Sequence, residues 1–227
     1  MATQNAAQIG FIIGFAQSSQ ATARDTTGGT PTNSPSGNGA INIQYFQSSG
    51  RGGGTFRYTR TFLRFDTSDI SGASSFTLKT ACSVGTTATE TVFAVKSDAF
   101  TGEDTTLASA DFNNLDFSTL YSSNATGNTF ANSNSGTNDI ALSSTAANDI
   151  NNNSVFTVAL VTRLDYNDSD LEADGAVNHK INFNTIPFLD FTPAASGYGN
   201  QVNTVAPSNI AIINNVATAN IEKINTI

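Results

Sequence analysis

The chain has 227 residues, with ten Lys or Arg against 18 Asp or Glu and a net charge of −8. Only 12% of residues are charged, against about 25% in a typical globular domain. The basic residues are scattered, so no cluster exists to release counterions from a polyanion; nucleic acid and membrane are therefore not expected partners, and no run of 18 apolar residues offers a span.

The length suits one large all-β domain with an appendage, or two small domains. Asn, Thr, Ser, Ala and Gly supply the surface, and 16 Phe with no Trp supply the core. The opening MATQNAAQIGFIIGFAQ has no basic stretch before its apolar run, and Gly interrupts that run. It reads as a strand over 8–15 rather than a signal peptide. Residues 17–40 are rich in Ser, Thr, Gly and Pro and read as a long loop or edge segment.

INIQYFQ alternates Ile41, Ile43 and Tyr45 on one face, the pattern of a half-buried strand. A long strand follows over 55–66. Phe56, Tyr58 and Arg60 share one face while Leu63 and Phe65 take the other, which predicts a bulge or burial on both sides. Arg60 and Arg64 share a face, and Asp66 is the expected ion-pair partner of Arg64. Residues 75–84 and 90–97 are expected to form a hairpin across VGTTAT. Cys82, the single cysteine, permits no intrachain disulfide and reads as a buried thiol.

Residues 101–150 are the least regular, with one short helical turn expected near 109–115 and Asp111 in its first turn. VFTVALVTRLDY is the most β-branched run. HKINFN and IPFLDFTP close the body, and Pro187 argues that the last strand starts at an edge. Eight or nine short strands in about 190 residues predict an all-β jelly-roll β-sandwich.

Few residue groups offer chemistry. His179 is the only histidine, so a His-rich metal site is impossible within one chain, and it reads as a surface or rim residue. DYNDSDLEAD is the densest oxygen cluster, with Asp165, Asn167, Asp168, Asp170, Glu172 and Asp174. Its first reading is a solvated acidic loop. Its second is a structural Ca²⁺ site, since that ion takes six to eight oxygens from flexible loops, although Asp170 stands where an EF-hand would need Gly. Glu103, Asp104 and Asp111 are carboxylates in ordinary loop contexts. Tyr45, Tyr58, Tyr166 and Tyr198 are the aromatic candidates for a sugar platform, with core or rim packing as the plainer role.

The chain ends VNTVAPSNIAI-INNVATANIEK-INTI, two full copies and the start of a third copy of an 11-residue unit. Its apolar positions are Val202, Val205, Ile210, Ile213, Val216, Ile221, Ile224 and Ile227. Eleven residues over three turns could form a helix, but Asn, Thr, Val and Ile are poor helix formers, so short strands and turns are expected. About two repeats cannot bury their own apolar face and need neighbours.

Two resemblances follow. Phe62, Leu63, Arg64, Phe65 and Asp66, then Ile70 in a turn and Phe76 and Leu78 in the next strand, resemble the signature of jelly-roll modules of the DNRLRE, carbohydrate-binding-like type. The closing strands VFTVALVTRLDY, HKINFN and PFLDFT are similar to that family's end, so the likeness covers residues 8–195; residues 100–150 depart from its pattern. It implies a binding or structural domain without catalysis. The terminal repeats resemble those of tailed-phage virion proteins. Together these imply a body over 1–197 and an assembly tail over 198–227. The implied protein is a non-enzymatic appendage on the virion surface, needing no cofactor. Its partners would be copies of itself, as a homotrimer, and other virion proteins. The alternative is a module that binds host glycans.

Overall fold

A computed structural model describes residues 1–33, 42–48, 54–84, 89–100, 106–131, 137–169, 177–194, 212–213 and 216–217. The chain divides into two compact units, Met1–Thr192 and Pro193–Ile227. The first is an all-β sandwich. Its strands are β1 (Ala2–Asn5), β2 (Gln8–Gly14), β3 (Gly29–Asn33), β4 (Asn42–Gln47), β5 (Phe56–Asp66), β6 (Ser74–Thr80), β7 (Cys82–Val84), β8 (Thr89–Ser97), β9 (Leu115–Leu120), β10 (Asn128–Ala131), β11 (Asn138–Ala141), β12 (Val155–Thr162), β13 (Val177–Phe183) and β14 (Phe188–Thr192). The described residues also hold three short helices, α1 (Gln20–Arg24), α2 (Ser144–Asn152) and α3 (Arg163–Asn167), and a 3₁₀ turn, Ser109–Asn113.

One sheet runs β1-β14-β6-β11. The other runs β10-β8-β12-β5-β4-β13-β7, with β2 paired to β5 and β3, and β9 to β8. All described pairings are antiparallel. The chain changes sheet from β1 to β2, from β5 to β6, from β6 to β7, from β10 to β11, from β11 to β12 and from β13 to β14, so its strands alternate between the two layers of a sandwich.

β5 explains the layering. Tyr58 through Leu63 are all buried, and Phe65 with them. Leu63 and Phe65 face the four-stranded sheet, packing with Phe76, Leu78, Phe156, Val158 and Leu189. Tyr58 and Phe62 face the other way, packing with Ile12, Leu107, Phe112 and Leu164 under the short helices. Its register is continuous against both β12 and β2, so burial on both sides accounts for its pattern and no bulge is needed. Gly14 lets the 3₁₀ turn come close, since a Cβ there would lie 2.7 Å from the Phe112 ring.

Several expectations are corrected. Residues 17–40, expected as a long loop or an edge segment, hold α1 and, at an edge among the described strands, β3. Ser19 caps α1, its hydroxyl accepting from Thr22 N at 3.2 Å, and Pro31 is tolerated because, among the described residues, β3 pairs with β2 alone. Residues 75–84 and 90–97 do not form a hairpin. β6 pairs with β11 and β14, β7 with β13, and β8 with β9, β10 and β12. The stretch 75–84 breaks at Ala81 and its halves enter different sheets. The irregular middle contains the expected turn with Asp111 in it, and also β9, β10, β11 and α2. β12 stops at Thr162, whose hydroxyl caps α3, so the acidic stretch begins as a helix rather than a loop. Finally, β14 lies between β1 and β6, not at an edge. Pro187 stands just before the strand, where its missing N–H costs no ladder bond, and its carbonyl accepts from Ala6 N at 3.0 Å.

Candidate functional site

A cleft of about 210 Å³ opens where the end of β8, the C-terminal half of α2 and the start of β12 meet. Ser143 caps α2 by accepting from Ala146 N at 3.3 Å, and Ala146 and Ile150 anchor the helix in the core. That places Asp149 at the cleft wall. Tyr121 donates its hydroxyl to Asp149 Oδ2, and Lys96 Nζ donates to the same oxygen at 3.2 Å. The Tyr121 ring packs on Phe156 at 5.1 Å. Burial, and then the bond to Asp149, push the phenol's pKa up, so it stays a proton donor at neutral pH. Asp98, Asn153 and Thr157 add polar groups to the lining.

This set can exchange hydrogen bonds with a polyhydroxyl ligand. It has no ring face to stack on a sugar, because Tyr121 and Phe156 are each only 2% exposed. The carboxylate, ammonium and phenol satisfy one another, an arrangement that locks α2 to β8 and to the segment after β9.

The most deeply buried polar network lies on the opposite face of the large sheet. Arg60 and Asp165 are each 1% exposed. Arg60 Nε and Nη2 donate to the two carboxylate oxygens, both at 2.8 Å. Its other donors go to Phe112 O at 2.8 Å, Asn113 Oδ1 at 3.0 Å and Arg24 O at 2.9 Å. All five N–H groups of the guanidinium are thus engaged. The Phe112 ring lies 4.0 Å from its central carbon. Arg24 adds a second cation, its Nε donating to Asp165 O at 2.7 Å. One residue on β5 therefore ties together α1, the 3₁₀ turn and α3, a structural function.

This pair replaces the one expected between Arg64 and Asp66. Asp66 accepts from the Ser68 hydroxyl at 2.8 Å and the Ser68 amide at 3.1 Å. Those bonds lower its pKa, and the Arg64 charge contributes least. The β5 alternation placed Arg60 in an inward row with Tyr58 and Phe62, which was the available signal; its partner, 105 residues away, left none.

The other predicted residues fall as follows. In the Ca²⁺ candidate, Asp165 is bound by Arg60, Asn167 ends α3, and Asp168 is its left-handed C-cap (φ 49°) with Arg24 Nε 3.7 Å away. Asp170 lies outside the described residues, as do Glu103, Asp104, Glu172, Asp174 and Tyr198. Among the described residues no group of three acidic, His or Cys side chains could hold a metal. His179 lies on β13, its side chain 23% exposed and its Nδ1 bonded to the buried Glu90 carboxylate. Tyr45 and Tyr58 pack against each other in the core with their rings tilted by 48°, and Tyr166 stacks on Phe93 at 4.1 Å. Tyr45 and Tyr58 are thus core residues, and Tyr166 is half-buried against the core.

No family model matches the chain, and no curated protein matches it.

In the second unit, β15 (Ile212–Ile213) pairs antiparallel with β16 (Val216–Ala217), Ile213 opposite Val216. Two residues separate the strands, the spacing of a tight hairpin. The pair straddles the junction between two repeat copies. The other expected assembly positions, Val202, Val205, Ile210, Ile221, Ile224 and Ile227, lie outside the described residues.

Proposed function

We propose that the protein is a non-enzymatic structural component of a tailed-phage virion, a surface appendage of the decoration, spike or fibre kind, held in place by its C-terminal repeats. The observation that carries this is the tail itself: an apolar, repeated segment in a unit separate from the body, with its one described pairing a two-residue strand pair. So small a strand pair is not stable alone in water, so the repeats need strands from other copies, as a trimer, or from another virion protein. The body supports the reading through its polar side chains. Its largest polar clusters are tied off internally, by Arg60 with Asp165 and by Asp149 with Lys96 and Tyr121.

The test is the mass in solution of the full chain, of a chain ending at Ser196, and of the full chain carrying Ile213→Asp with Val216→Asp. A trimer or larger that loses subunits in both altered chains supports the reading. Equal masses for all three would leave docking on a different virion protein as the only form of it, and an absence of binding to virion particles would then overturn it.

The second reading is a module for host-surface glycans, favoured by the mixed donors and acceptors of the Asp149 cleft. A glycan-array signal that is lost in Asn153→Ala would carry it.

A further inference from the structure

Where β4 joins β5 and β13, one side of the sheet carries Ile43, Tyr45 and Ile181, all fully buried. The other side is built from the alternate residues of the same strands, and the register sets them in two rows. Arg57, Phe46 and Asn178 form one row, and Thr59, Gln44 and Lys180 form the next. Contacts agree with that register. The Arg57 guanidinium lies 5.0 Å from the centre of the Phe46 ring, and Gln44 Nε2 donates to Asn178 Oδ1 at 2.6 Å. All of these residues except Thr59 are half-buried.

The charges on this face lack counter-charges. Arg24, Arg60, Lys79 and Lys96 each have a carboxylate oxygen within 3.7 Å. Arg57 and Lys180 have no ion pair among the described residues, and neither row contains an Asp or Glu. Hydrogen bonds are missing as well. Arg57 Nε is buried with no partner, and so is the hydroxyl of Thr59, which is 1% exposed. Among the three guanidinium nitrogens Nε alone is enclosed without a partner. Phe46 therefore holds the head in one orientation with its terminal nitrogens outward, the fork that receives a carboxylate.

We propose that this face binds a carboxylate-bearing polysaccharide, with Arg57 and Lys180 each meeting an acidic group and Gln44 and Asn178 meeting hydroxyls between them. Two unpaired cations in a chain of net charge −8 select an anion. Their strands are two apart and their rows one step apart, which separates them by about 12 Å. That spacing suits sparse charge. A nucleic-acid strand in a duplex carries one about every 3.4 Å and needs many cations to hold it. The amides between the cations offer a donor and an acceptor each, the complement of sugar hydroxyls. An acidic peptide could not add as a strand here, because β4 and β13 have neighbours on both sides. The site is separate from both the tail and the Asp149 cleft, so neither reading above has to hold for it to exist.

The experiment is isothermal titration calorimetry of the full chain with polygalacturonate, alginate and hyaluronate. Fully methyl-esterified polygalacturonate is the uncharged counterpart, and a single-stranded DNA oligonucleotide is the dense polyanion. The expected result is binding to at least one acidic glycan that weakens with added NaCl and is absent for the ester and the oligonucleotide. Arg57→Gln and Lys180→Gln should each weaken it about tenfold, the worth of a hydrogen bond to a charged group. Asn153→Ala in the cleft, and Ile213→Asp with Val216→Asp in the tail, should leave it unchanged. If Arg57→Gln lowers the melting temperature, Lys180→Gln decides alone. No binding to any of the three glycans, undiminished binding by Lys180→Gln, or equal binding of the ester or the oligonucleotide would overturn the proposal. A loss confined to Asn153→Ala would carry the glycan to the Asp149 cleft and overturn this site.

Discussion

Asp165→Asn is the sharpest perturbation of the body. It preserves size and replaces one carboxylate oxygen with an NH₂ group pointed at Arg60. Two bonds of 2.8 Å are weakened or lost, and a guanidinium only 1% exposed is left without its counter-charge. Hydrogen bonds to charged groups contribute about 1.5–3 kcal/mol each, and removing one partner of a buried pair costs about 3–5 kcal/mol. The two estimates overlap near ~4 kcal/mol. For a chain of this size that lowers the melting temperature by about 10 °C. Urea titration followed by circular dichroism, beside a thermal melt, measures both. Replacing the pair together, as Arg60→Met with Asp165→Leu, should recover much of the loss, because neither charge then has to be desolvated. A loss below ~1 kcal/mol for Asp165→Asn, within the range of exposed pairs, would refute the buried-pair argument. So would a double variant less stable than the single one.

Burial, with the Asp165 charge behind it, raises the Tyr58 pKa, and burial with the Asp149 bond raises that of Tyr121. Both keep their protons in the folded state after an unfolded chain has released them near pH 10. Their contribution is therefore intact below about pH 10 and is lost as pH rises beyond it; an absorbance titration should show these phenols ionising only with unfolding. His179→Ala strips the buried Glu90 carboxylate of its ring partner and should cost about 1–3 kcal/mol by urea titration, with His179→Gln recovering part. EDTA should leave the melting temperature unchanged, since Arg60 occupies both oxygens of Asp165; a fall would reinstate the Ca²⁺ site.

What could be read from the sequence was local. Alternation at period two marked β4 and β5, because a side chain's face in a strand depends only on its neighbours, while an apolar run marked β2 and β-branched content marked β12. The double-sided burial of β5 was visible in the same way, as two apolar rows of opposite parity. Asp111 announced the 3₁₀ turn, where its carboxylate accepts from Ala108 N at 2.8 Å. The 11-residue repeats needed no structure at all. The short helices over 20–24 and 163–167 were missed because five residues carry too little periodicity to detect; hydroxyl caps and burial against the large sheet hold them.

Other features belong to the tertiary structure alone. That residues 75–84 divide between two sheets, that β14 sits inside its sheet, and that Arg60 rather than Arg64 finds a carboxylate all depend on residues far away in the chain. A strand's pattern says which face is buried but not which strand lies beside it. A buried charge requires a partner, but the one it meets is set by how the layers close.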